Sequence, residues 1–210
     1  MRSARMSFDS AWFLAVDNWA RATPALHGVL SVYALWAGPV LIALLLVIGW
    51  LRARVRPDAA AQVAVVVLTG VAAVAAVLVN QNVVSTLIGR PRPCAAMPDA
   101  QALLPCSADY SMPSDHAVIA GALVVGLWIL QRRLGAVAAV LALLLAFSRV
   151  YVGVHYPSDV AVGLLFGAAV AAAVVLGLRG PTTAAAERLL GTSVRPLICS
   201  RRDAGSGPRA

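Results

Sequence analysis

Four short polar clusters carry nearly all the side chains of this 210-residue chain that could do chemistry: Gly89-Arg90-Pro91-Arg92-Pro93, Pro113-Ser114-Asp115-His116, Ser148-Arg149, and His155 with Asp159. His155 and Asp159 are four residues apart where Pro157 suits the first turn of a helix, so their side chains stack one above the other. A carboxylate so placed can take the proton of one imidazole nitrogen and leave the other as a free lone pair. This is the orienting logic of a hydrolase triad, with histidine itself as nucleophile. His116 comes from another segment and can protonate a leaving oxygen as general acid, because an ordinary imidazole titrates close to neutrality. Arg92 and Arg149 are permanently charged planar donors that match phosphate oxygens in pairs. Pro113 and Ser114 are cap and first-turn residues, and the helix they open presents unpaired N–H groups and a positive dipole end to an anion. The set points to phosphoryl transfer through a phosphohistidine that water then releases.

Each histidine alone is more often structural, and arginines of membrane proteins often only snorkel to headgroups. Two histidines meeting an aspartate and two arginines reverse that balance. Arg149 follows one apolar run and precedes another, which places it toward a bundle interior. His27 has no carboxylate at helical spacing and reads as an interfacial residue rather than a catalytic one. Two histidines among basic neighbours make a poor cation site, so no metal and no cofactor is expected.

The elements that must position these residues are membrane helices. The chain is 60% hydrophobic and 12% charged, with a mean hydropathy of +0.82, far from the balance of a soluble domain. All 17 basic residues are arginine. They are spread over the links between apolar runs, which argues against a nucleic-acid partner. Five runs are long enough to cross about 30 Å of hydrocarbon: Gly28 to Leu51, Ala59 to Ile88, Ala117 to Gln131, Leu134 to Val152 and Pro157 to Leu178. The third spans only if its helix is taken from Pro113 to Arg132.

Ahead of them, Phe8, Ala11, Trp12, Ala15, Val16 and Trp19 fall on one face, with Asp9, Ser10, Asp17 and Asn18 elsewhere, as in a helix lying in the membrane interface; with Phe13 and Leu14 off the stripe, a shortened transmembrane helix is the alternative. Those polar residues also break any signal-peptide core, so the segment is expected to stay on the mature protein. The expected fold is all-α, a polytopic membrane bundle of about five transmembrane helices plus an N-terminal interfacial helix. Residues 1–180 form a single membrane-embedded domain and 181–210 a basic cytoplasmic tail. That tail has a short helical pattern near Ala184 to Leu190 and ten disordered final residues. No internal repeat suggests a transporter built from inverted halves.

Arg52, Arg54 and Arg56, Arg132 and Arg133, and the tail arginines Arg179, Arg188, Arg195, Arg201, Arg202 and Arg209 fall on one side, cytoplasmic by the positive-inside rule. The second connection, Gly89 to Met112, and the fourth, around Gly153 to Tyr156, then lie outside. The four chemical clusters thus end on one extracytoplasmic face. Cys94 and Cys106 share the exported loop, which favours a disulfide and leaves Cys199 apart. Two unpaired thiols packed in the loop is the alternative that sequence leaves open.

These residues resemble the type 2 phosphatidic acid phosphatases (PAP2), a family that shares its catalytic core with vanadium-dependent haloperoxidases. The family pattern is a lysine, six residues and Arg-Pro; then Pro-Ser-Gly-His; then Ser-Arg, five residues, His, three residues and Asp. The third part is complete here in SRVYVGVHYPSD, and the resemblance covers Ala59 to Leu178. It implies His155 as nucleophile, Asp159 as its partner and His116 as acid. It also implies a phosphate site of Arg92, Ser114, Asp115 and Arg149, to which Arg90 and Ser85 are candidate additions. Ser85 stands where the family has its lysine, and Asp115 where it has glycine.

Pro-Ser-Asp-His looks like the branch acting on polyprenyl diphosphates. The resemblance therefore implies a metal-independent phosphatase of polyprenyl diphosphate or monophosphate in the inner membrane, recycling a lipid carrier, with its site on the extracytoplasmic face. A phosphatase of phosphatidic acid or phosphatidylglycerol phosphate is the alternative, and a silent binder or transporter of phosphorylated lipids the remote one. Both phosphatase readings expect a lateral opening for lipid chains, and the oligomeric state stays open.

Overall fold

The architecture comes from a computed structural model, in which residues 7–97 and 99–200 are described. Helix α1 (Phe8–Ala22) starts at Ser7, whose hydroxyl caps the Ser10 N–H. Phe8, Trp12 and Trp19 are exposed along one face, whereas Phe13, Asp17 and Ala20 are buried against the bundle. Helix α2 (Pro24–Ala53) is interrupted by a wide π turn at Tyr33–Ala37. Helix α3 (59–88) carries a second π turn at Asn80–Val84 and stops at Gly89, whose φ of 63° is the left-handed conformation glycine adopts without strain. After the single turn of α4 (Pro93–Ala96) come α5 (Asp115–Leu130), α6 (Arg132–Tyr151), α7 (Pro157–Leu189) and the short α8 (Arg195–Ile198). Among the described residues there is no strand.

Helices α3, α5 and α7 form the inner layer, α6 packs on α5, and α2 lies against α6 and α5. Small residues allow this closeness. A Cβ on Gly121 would lie 2.1 Å from the Leu164 carbonyl oxygen, and one on Gly167 only 1.9 Å from that of Val118. The α5 and α7 backbones therefore touch, and Leu127, Leu145, Ala138 and Ala171 fill the core beside them. Val71, Val74 and Leu78 of α3, Leu143 of α6, and Leu165 and Leu176 of α7 point outward. That outward apolar surface, with four helices long and apolar enough to cross a membrane and the 16-residue α5 between them, makes this an integral membrane protein.

Two boundaries differ from the sequence reading. The third span begins at Asp115, because Ser114 already has extended backbone and acts as its N-cap. The last span does not end near residue 180: α7 runs through Pro181 to Leu189, carried by a stretch of strong helix formers. The proposed division at 180 thus falls inside a helix, and the short tail helix near Ala184 is the continuation of α7. Beyond it α8 folds back, with Ile198 buried against Ala60 and Ala186, the Trp50 indole donating to Leu197 O at 2.9 Å, and Ser200 N donating to Arg54 O at 3.0 Å. The segment read as disordered, 201–210, lies outside the described residues.

Candidate active site

At the end of the bundle where α3 stops and α5 and α7 begin, the chain closes a cavity of about 370 Å³ walled by Arg92, Asp109, Asp115, His116, Arg149 and His155. The contact between α5 and α7 sets its floor, and Ser114 N donates to Asp159 O at 3.1 Å across it. The loop between α4 and α5 roofs it. A disulfide joins Cys94 to Cys106, Leu103 N donates to Val152 O at 3.0 Å, and Gln101 N donates to the buried Asp17 carboxylate of α1 at 2.8 Å. Cys199 sits at the far end of the bundle.

His155 is 1% exposed. Its Nδ1 lies 2.8 Å from the Ser111 carbonyl oxygen, which fixes that nitrogen as the protonated one. Nε2 then carries the lone pair, 3.1 Å from Arg92 Nη1 and 3.3 Å from Arg149 Nη2. Burial, and then the two guanidinium charges, push the His155 pKa down to about 4 against the opposing pull of the Asp159 carboxylate, so the ring is neutral at pH 7.

The pairing of His155 with Asp159 is less direct than helical spacing suggests. Asp159 Oδ2 is 3.7 Å from Nδ1, because the Ser111 carbonyl takes the nearer position. The Asp159 carboxylate instead accepts from the Ser111 hydroxyl, from Tyr156 N at 2.7 Å and from Arg90 Nη1 at 2.8 Å. It holds the segment that holds the histidine. Ser111 is thus a site residue that sequence reasoning missed, since it sits in an irregular loop with no spacing signal.

Arg90 is placed differently from its candidate role at the phosphate. Its guanidinium lies over the Tyr156 ring, 3.8 Å from the centroid, and donates to Asp159, to Ser158 Oγ at 2.7 Å and to Asp9 at 2.5 Å. With its donors so committed it anchors Asp159 from behind. Asp9, on α1, also accepts from Ser158 N at 3.0 Å and Ser158 Oγ at 2.6 Å. Burial raises the Asp9 pKa, but the hydrogen bonds from Ser158 and Arg90 outweigh it and hold the carboxyl below its ordinary value. This residue was missed too. A signal existed: Asp9, Phe13, Asp17 and Ala20 recur at helical spacing on the face opposite the exposed tryptophans.

The remaining candidates divide. Ser114 Oγ and Arg149 Nε are buried without a hydrogen-bond partner, and Arg149 Nη1 reaches only Ala34 O at 3.4 Å, so both residues retain donors for an anion. Arg92 donates through Nε and Nη2 to the two oxygens of Asp109 at 3.0 and 2.9 Å, and through Nη1 to Val154 O at 3.0 Å. Asp115 lines the cavity, but its carboxylate accepts from Asn80 Nδ2 at 2.7 Å and Gln81 Nε2 at 2.8 Å, both from the π turn of α3. A carboxylate repels phosphate, so this side chain contributes by fixing the start of α5 rather than as a ligand. Ser85 faces a neighbouring cavity of about 330 Å³ that shares the walls Arg92, Asp109 and Asp115. His27 bonds Ala20 O at 2.8 Å beside Tyr151 and does not line the cavity. Among the described residues no cluster of His, Cys, Asp and Glu has the makings of a metal site.

The family model for the PAP2 superfamily matches residues 63–180, which hold every cavity-lining polar residue named above. The chain belongs to the PAP2 superfamily. Asp9 lies outside the matched residues. Over 95 residues, 45% of the chain, it is 35% identical to undecaprenyl-diphosphatase BcrC of Bacillus subtilis, and the match covers 48% of that protein. Over 69 residues, 31% of the chain, it is 45% identical to an undecaprenyl-diphosphatase of Sulfolobus acidocaldarius, covering 32% of it. The chain thus spans about half the length, or less, of these curated relatives. A solved transmembrane PAP2-type phosphatidylglycerolphosphate phosphatase from Bacillus subtilis superposes with a TM-score of 0.59 at 23% identity, over 84% of this chain and 89% of that one. The likeness shows that this PAP2 chain has the membrane phosphatase fold.

Proposed function

We propose that this PAP2 protein is a membrane lipid phosphatase that removes a phosphate from a polyprenyl diphosphate or monophosphate through a phosphohistidine on His155. The observation that carries the reading is the Nε2 lone pair of a buried neutral histidine flanked by two guanidiniums. A phosphoryl group gripped by Arg92 and Arg149 meets that nitrogen. In the first step Nε2 attacks phosphorus, the N–P bond forms, and the P–O bond to the lipid breaks as His116 gives its proton to the departing oxygen. In the second, water loses a proton to His116 and attacks phosphorus, the N–P bond breaks, and orthophosphate leaves with His155 restored. The guanidiniums and the Ser114 hydroxyl stabilise the charge on the equatorial oxygens. No step requires a metal.

Three observations support the substrate class. Two relatives are named for undecaprenyl diphosphate. Asp115 stands in the Pro-Ser-Asp-His string. An apolar groove of about 230 Å³, lined by Ala73, Val74, Val77, Leu78 and Ile119, runs between α3 and α5 within a turn of Asn80 and His116, and offers a lipid chain an apolar bed beside the cavity. The arginines of the α2–α3 and α5–α6 links lie at the opposite end of the bundle from the cavity, which supports a site facing away from the cytoplasm.

The test is release of orthophosphate from polyprenyl diphosphate, polyprenyl phosphate, phosphatidic acid and phosphatidylglycerol phosphate in detergent, with and without chelator, for the wild type and His155→Ala. The reading expects the prenyl lipids to be preferred, no effect of chelator and no turnover by the variant. Turnover by His155→Ala would remove the nucleophile, and preference for a glycerophospholipid would move the protein to that substrate class.

A further inference from the structure

Asp109 stands on the arginine that the proposed reaction needs most. Both of its oxygens accept from Arg92, at 3.0 Å from Nε and 2.9 Å from Nη2, the geometry in which a guanidinium takes two oxygens of a phosphate. The side chain is 57% exposed while that of Arg92 is 7% exposed, so the pair couples a buried cation to a carboxylate at the water-facing mouth. Residues 107–110 form a short exposed bridge between two fixed points, the Cys94–Cys106 disulfide and Ser111, whose N–H donates to Arg90 O at 2.8 Å. The exposed carboxylate thus has solvent to swing into, and Ser111 is held separately through Arg90 O.

We infer that Asp109 is a built-in competitor for the phosphate site, a carboxylate that holds the Arg92 fork until a phosphoryl group displaces it, and that it thereby keeps free orthophosphate from occupying the site. This rests on the reading of the cavity as a lipid phosphatase site. Displacement lowers the affinity of every phosphate by the fraction of time the fork is held. A lipid offsets the loss through its chain and its concentration in the bilayer; orthophosphate has charge alone, so product leaves and ambient phosphate binds weakly.

The experiment measures orthophosphate binding directly by calorimetry on the full chain in detergent, for the wild type, Asp109→Asn, Asp109→Ala and, as a charge-matched control at the other end of the bundle, Asp58→Asn. Both Asp109 variants are expected to bind orthophosphate about five- to tenfold more tightly, with Asp58→Asn unchanged. A carboxylate that merely braced the loop would give the opposite, weaker binding on removal. Unchanged or weaker binding in both variants overturns the inference, and so does equal tightening in Asp58→Asn. Lipid hydrolysis is assayed separately: its absence in the wild type strikes the phosphatase reading, whereas the binding result decides the role of Asp109 alone.

Discussion

Arg90 Nη1 donates to Asp159 at 2.8 Å while the other terminal nitrogen of the same guanidinium donates to Asp9 at 2.5 Å, so a residue of α1 is one side chain removed from the carboxylate beside His155. Asp9→Ala removes one of the two carboxylates that hold Arg90 and frees Ser158 at the start of α7. It is expected to lower kcat by about tenfold with KM little changed, because the lipid and phosphate contacts are untouched. Steady-state kinetics on a lipid substrate check this. A rise in KM with kcat preserved would show that α1 serves the bilayer and not the chemistry.

The acid limit of the proposed reaction is expected to lie below the usual range for a histidine nucleophile. The His155 pKa is pushed down to about 4 by burial and then by Arg149 and Arg92. The His155 ring is therefore neutral above about pH 4, and protonating it requires going well below the ordinary value of about 6.5. Because the folded pKa is below the unfolded one, the stability this group contributes is present above about pH 6.5 and lost as pH falls toward 4. Arg149→Gln removes one of the depressing charges, so the His155 titration is expected to move upward toward neutrality. Histidine ¹³C NMR, with His155→Gln for assignment, reads both values.

If His116 is the general acid, its loss matters in proportion to how poor the leaving group is. His116→Ala is expected to slow phosphoryl transfer from a lipid monophosphate by about 10²–10⁴-fold and to spare the pre-steady-state burst of p-nitrophenol from p-nitrophenyl phosphate, whose leaving group needs no proton, while the water step that follows stays slow. Equal losses on both substrates would assign His116 to binding instead.

Gly167→Ala tests the contact that brings the two histidine-bearing segments together. Its Cβ would sit 1.9 Å from the Val118 carbonyl oxygen, so α5 and α7 must separate. Overpacking of this kind costs about 3 kcal/mol or more. The thermal unfolding midpoint in detergent is expected to fall, and a midpoint equal to that of wild type would mean that the helices do not meet there.

The apolar groove is tested by size. Ile119→Trp fills the space between α3 and α5 below the cavity. It is expected to raise KM for long-chain lipids several-fold and to leave a short water-soluble phosphate unaffected; the same effect on both would detach the groove from the substrate.

What the sequence disclosed follows from how each residue is encoded. Arg149, His155 and Asp159 lie within eleven residues of one another across a single helix junction, so their spacing alone predicted their company. The five spans were legible because hydrocarbon demands long apolar runs, which leave little else for such a composition to do. Asp109 and Ser111 were not legible, and the helical period of Asp9 gave its face but not its partners. They reach the site from an interfacial helix and an irregular loop, where contact depends on chain path rather than period. Arg92 was assigned to the phosphate from sequence, but Arg90, two residues away in one extended Arg-Pro-Arg stretch, stayed a candidate addition to the same site. Only the fold shows that one faces the cavity and the other its rear wall.

Each π turn packs one residue more than ordinary winding allows, and both lie at cavity depth: Leu35 of the first lines the wall, and Asn80 and Gln81 of the second hold Asp115. One residue in a helix is worth about 100° of rotation. Removing any single residue between Asn80 and Val84 would thus act less as a shortening than as the turning of a key, swinging the amides past their carboxylate while the span kept nearly its full reach.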